Sequence, residues 1–134
     1  MVEIPQDGDA PLIRCDFSNM AAWERLVAAT KEPSPDGFVP NLQIIDNDRY
    51  DGASANQIGS AARDTNHAVV FIADEITMGN DDLSVLCLNV SATEQRFRVI
   101  PSELWGVENN LSLGNMDFEE FADATGADGI FRGF

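Results

Sequence analysis

Three aspartates stand where an acidic site would be built. Asp16, Asp46 and Asp74 each fall at the carboxyl end of a run that reads as a parallel β-strand. In open α/β sheets that edge is where ligands bind. With Asp48 and Glu75 as neighbours, three converging carboxylates would hold Mg²⁺ through oxygen ligands, as a phosphate-handling enzyme does. The same residues also do plainer work, since acids after strands commonly cap the next helix or face water. No lysine stands at a later strand end, and no glycine-rich phosphate loop follows the first strand.

A second group is Trp105 with Glu108, Asn109 and Asn110. One acid and two amides beside a tryptophan, on a segment that reads as irregular, suit a small-molecule pocket or a partner-binding surface. The plainer expectation is a packed indole with asparagines satisfying loop backbone. His67 is the sole histidine and opens a strand, with no serine or cysteine that the sequence sets beside it. Cys15 and Cys87 each lie in an apolar run and lack metal-ligand spacing, so free, buried thiols are expected.

The elements that must position these residues alternate along the chain. Leu12 to Phe17 reads as a strand. Ser18 or Asn19 then caps a helix to about Lys31, with Met20, Trp23, Leu26, Val27 and Thr30 on one face, and Pro33 and Pro35 forbid its continuation. Leu42 to Ile45 is a second strand, and Ser54 to Arg63 a weaker helix. His67 to Ala73 is a run of β-branched, aromatic and other apolar residues after its opening histidine, as a strand covered on both faces should be. A loop through Gly79-Asn80-Asp81-Asp82 leads to Leu83–Val90, and a short link makes a hairpin with Arg96–Ile100. Pro101 to Trp105 predicts one helical turn stopped at Gly106. The last helix has a capping box at Asp117 and Glu120, a staple of Met116 and Phe121, and Gly126 at the left-handed C-cap position. The order β-α-β-α-β-β-β-α predicts one α/β domain over Pro11–Phe134 after a loose lead-in, Met1 to Ala10. It is expected to be a mixed five-stranded sheet, with a parallel start, an antiparallel hairpin and helices on both faces. The tail Ile130-Phe131-Arg132-Gly133-Phe134 is expected to dock on the core.

Composition narrows the function classes. Eight basic residues against 23 acidic ones leave a net charge of −15, and Lys31 is the only lysine. That surface repels phosphate backbones and anionic lipid, so neither nucleic acid nor membrane is an expected partner. A basic protein would be attracted. No apolar run approaches the ~20 residues of a membrane helix, and the acidic start does not read as a signal peptide, so a cytoplasmic address is expected.

The closing stretch PSELWGVENNLSLGNMDFEEFADATGADGIFRGF, with PLIRCDFSNMAAWERL near the start, resembles a bacterial family catalogued only as a domain of unknown function. The motifs ELWxVENNL, NMDFxEFA and the terminal GxFRGF carry the resemblance, which spans Pro11 to Phe134. It implies a standalone bacterial protein and brings no catalytic or ligand residues with it. The leading expectation is a non-catalytic acidic protein of inhibitor or immunity type that covers a basic partner. The alternatives are a Mg²⁺-dependent enzyme using the strand-end aspartates and a small-molecule binding module around Trp105.

Overall fold

The computed structural model describes residues 2–134, so Met1 of the expected lead-in lies outside the described residues. Its centre is a six-stranded sheet built from β1 (Ala10–Arg14), β2 (Leu42–Ile45), β3 (Val69–Ala73), β4 (Val85–Asn89), β5 (Arg96–Val99) and β6 (Ile130–Phe131). The strand order is β2-β1-β3-β4-β5-β6. β1 pairs in parallel with both β2 and β3, while β4 is antiparallel to both β3 and β5. The five-stranded expectation therefore falls one short, because β6 pairs in parallel with β5. Two residues show no periodicity, so only the docked geometry reveals that strand.

Among the described residues, five α-helices cover the sheet: α1 (Met20–Lys31), α2 (Ala55–Ala62), α3 (Glu75–Gly79), α4 (Leu104–Ser112) and α5 (Phe118–Ala122). Local chemistry sets most of their ends. Asn19 caps α1 by accepting the Ala22 N–H at 3.0 Å. Ser54 and Gln57 form a reciprocal capping box at α2, with bonds of 3.1 and 2.8 Å. At α5, Asp117 and Glu120 form the expected capping box, in which the Glu120 carboxylate accepts the Asp117 N–H at 2.8 Å. Gly126 is not the left-handed cap. α5 ends at Ala122, and the positive φ of 78° belongs to Gly129, which turns the chain into β6.

The sheet buries a core on each face. One face sets Leu12, Phe71, Cys87 and Phe97 against Trp23 and Leu26 of α1, Leu104 and Val107 of α4 and Phe121 of α5. The other sets Ile13, Cys15, Val70 and Ile72 against Ile58 and Ala62 of α2, with Tyr50 and Ile4. Alternation along a strand sends neighbours to opposite faces, and the two cysteines belong to different cores. Both are free and buried. Burial, then the Asp74, Asp51 and Glu75 carboxylates, push the Cys15 thiol up to about 12, and burial alone pushes Cys87 well up. Neither thiol is expected to react with an aromatic disulfide reagent at about pH 8, and both should react once the chain is denatured. Rapid native labelling of either one would contradict this packing.

The stretch expected to be a loose lead-in lies along α2, with Ile4 only 8% exposed. His67 holds it, with Nε2 2.7 Å from the Pro5 carbonyl oxygen, and the Asn66 N–H donates to the Gln6 carbonyl at 2.8 Å. No helix among the described residues is long and apolar enough to cross a membrane.

Candidate functional site

The parallel order β2-β1-β3 brings Asp46, Asp16 and Asp74 to one edge of the sheet, and each is directed to a different partner there. Arg14 closes β1 and is 2% exposed, on the α1 face. Its guanidinium carbon lies 4.0 Å from the Phe17 ring centroid and 5.3 Å from that of Trp23. Nη1 donates to Asp46 Oδ1 at 3.1 Å, and the Trp23 indole N–H donates to Asp46 Oδ2 at 3.2 Å. Both oxygens of Asp46 are thereby engaged on that face.

Asp74 turns the other way. Arg98 sits opposite Leu86 on β4, so its side chain leaves the face that carries Phe97. Its Nη2 lies 2.5 Å from Asp74 Oδ2, and Nη1 donates to the Ser84 carbonyl at 3.1 Å. The Thr77 N–H donates to Asp74 Oδ1 at 3.1 Å, which makes Asp74 the N-cap of α3 as well. Burial works to raise the Asp74 carboxyl. The Arg98 hydrogen bond, the Thr77 N–H and the Arg98 charge together outweigh it and hold the group below its ordinary value. Asp16 accepts the Ser18 N–H at 2.8 Å in a turn. Asp48 opens a short 3₁₀ turn, and Glu75 is exposed at the start of α3. Among the described residues no group of three or more His, Cys, Asp or Glu side chains is placed to hold a metal ion.

The second candidate has a different shape from its sequence reading. The helical turn expected to stop at Gly106 continues as α4 to Ser112, because Leu104, Val107 and Leu111 recur at helical spacing and bury in the core. Glu108 and Asn109 use that helix to hold the loop before β2. Glu108 Oε1 accepts the Asn41 N–H at 2.6 Å, and Asn109 Oδ1 accepts from Asn41 Nδ2 at 3.2 Å. Asn110 Nδ2 donates instead to the Gly106 carbonyl at 2.8 Å, and the Asn110 main-chain carbonyl accepts the Asn115 N–H at 2.9 Å. A hollow beside Glu108 and Asn109 has a volume of about 220 Å³. Small-molecule sites run to about 300–1,000 Å³.

Trp105 stacks on Phe38, with centroids 5.2 Å apart and planes at 14°. Phe38 is 52% exposed, and Val39 beside it is exposed too. Their loop is tied down: Ser34 N–H to Phe38 O and Gly37 N–H to Ser34 O are each 2.8 Å, and Gly37 takes the φ of 87° that the turn requires. Phe38 went unremarked in the sequence. The signal was its place after a Pro-Asp-Gly turn between prolines, which offers an aromatic outward on a stiff loop.

A mixed α/β sheet wound on both faces, with two of its three strand-end aspartates bound by arginines and an aromatic shelf on one helix, is the class that fold and site define. The chain belongs to the family described as Domain of unknown function (DUF6924), whose model matches residues 9–134. No curated protein matches it.

Proposed function

We propose that the chain is a non-catalytic interaction protein that covers a basic partner, with the Phe38–Trp105 shelf as the centre of its contact surface. The carrying observation is the shelf itself. A half-exposed phenylalanine stacked on a tryptophan, on a hydrogen-bonded loop, is a pre-organised aromatic anchor of the kind that dominates interfaces. Apolar area left in water has a cost, and ordering the loop in advance lowers the entropy lost on docking. The net charge of −15 supports a basic partner by speeding encounter and rejecting acidic surfaces. The engagement of Asp46 and Asp74 by arginines supports a structural role for the carboxyl edge.

The test is affinity capture from the source cells with wild type and Phe38→Asp, the variant first shown to keep the wild-type denaturation midpoint. Wild type is expected to retain a basic protein at about 0.05 M salt and to lose most of it near 0.3 M. Phe38→Asp should weaken purified partner binding by roughly 30-fold, the size of a hot-spot loss. Undiminished binding by Phe38→Asp, or retention of no basic protein, would remove the proposal.

A further inference from the structure

A groove of about 820 Å³ lies between the N-terminal segment and α2, on the opposite face of the sheet from Trp105. Its volume falls within the range of small-molecule sites. One wall is chain that would fray if left unheld, yet it is held at successive residues. The Tyr50 hydroxyl donates to the Glu3 carbonyl, Ile4 is buried against the α2 core, and His67 and Asn66 bond the Pro5 and Gln6 carbonyls. Asn66 Nδ2 also donates to Asp7 Oδ1 at 2.6 Å. The other wall is α2 with the turn that follows it.

Among the described residues the lining carries one sign of charge. Glu3 and Asp64 face the groove from opposite walls, and neither takes part in an ion pair among the described residues. Among the described residues no lysine, arginine or histidine lines it. The two nearby arginines are engaged: Arg63 donates to Thr93, and Arg96 to the Asn56 oxygen and the Thr93 carbonyl. Gln6, Ser60 and Thr65 add amide and hydroxyl oxygens, while Val2, Ile4 and Ala61 supply apolar surface. An ammonium group needs carboxylate charge and several acceptor oxygens at once, and its methylene stem needs apolar floor. A bare divalent ion needs a tight oxygen cage, and no such cluster exists among the described residues. We infer that this groove binds a small organic polycation of the aliphatic polyamine class.

The experiment is calorimetric titration of the full chain with spermidine in about 150 mM NaCl, where diffuse attraction to the acidic surface is screened. One saturable site per chain is expected. Glu3→Gln combined with Asp64→Asn should weaken it at least about tenfold, a loss suited to two charge-assisted contacts. The charge-matched control Glu24→Gln with Glu119→Gln, both away from the groove, should leave it unchanged. Ser60→Trp, which fills the groove without altering charge, should weaken binding as well, and thermal melts verify that every variant is folded. The shelf variant Phe38→Asp should bind spermidine normally, so failure here and failure of the partner reading are separable. The inference is overturned by absence of saturable binding, by an equal loss in the control pair, or by complete competition from Mg²⁺ at matched ionic strength. Tetralysine binding in the groove without spermidine binding would also overturn it and make the groove a peptide site.

Discussion

Replacing Arg98 with leucine is expected to destabilise the protein by about 3 kcal/mol, because it strips the cation from a largely buried carboxylate. The Arg98 and Asp74 side chains are 13% and 16% exposed, so water can replace little of what is lost. The Ser84 carbonyl loses a donor in the same step. Adding Asp74→Asn to Arg98→Leu should recover part of the cost by removing the stranded charge, and the double-mutant cycle measures the coupling. Acid should reveal the same pair. The folded Asp74 carboxyl is held below its unfolded value, so its contribution is present above the unfolded value and is lost as pH falls through the folded one. The stability difference between wild type and Asp74→Asn should therefore be largest near neutrality and shrink towards about pH 3. Denaturant midpoints at the two conditions check it. A difference that stays constant, or an Arg98→Leu cost below about 1 kcal/mol, would show that the pair is not electrostatically coupled as the geometry requires.

Truncating Phe121 to alanine should cost about 4 kcal/mol, the range for emptying a packed aromatic site. Phe121 is 1% exposed and touches three other phenylalanine rings: Phe97, Phe131 and Phe134, at centroid distances of 6.2, 5.2 and 5.4 Å. For a chain this size, the melting temperature should drop by roughly 12 °C. Hydrogen exchange should locate the damage. The Arg98 N–H to Gly129 carbonyl and Ile100 N–H to Phe131 carbonyl bonds tie β6 to β5, so those amides should lose protection first. Phe134, 81% exposed, buries little, and Phe134→Ala should cost well under about 1 kcal/mol. Similar losses from Phe121→Ala and Phe134→Ala would mean that the tail is not docked as described.

The elements whose chemistry is local were legible without coordinates. α1 carries its cap, its buried stripe and its stopping prolines within 17 residues of chain, and Leu42–Ile45 was read with its true bounds. His67–Ala73 reads as doubly covered, and the strand formed within it, Val69–Ala73, is buried at all five residues. α3 reads as loop in the sequence because five residues give no period, although its cap, Asp74, stands out there as a strand-end acid. The sequence reads α4 short because Gly106 and the pair Asn109-Asn110 are poor helix formers. Burial of Leu104, Val107 and Leu111 in the core beside β3 overrides that preference, as tertiary packing commonly does.

The candidate sites divide in the same way. Sequence alone put Asp16, Asp46 and Asp74 at the carboxyl ends of strands that read as parallel, and the parallel pairing of β1 with β2 and β3 sets those ends on one edge. It also determined the acidity of the surface and the apolar setting of both cysteines. Only the tertiary structure decided what the aspartates face. Arg14 and Arg98 lie 84 positions apart, and the pleat turns them to opposite faces, where each takes one aspartate. The structure likewise decided that Phe38 meets Trp105 and that residues 2–6 become the wall of a groove. Those contacts join segments far apart in the chain, and their partners are chosen by which surfaces remain uncovered after the two cores have closed.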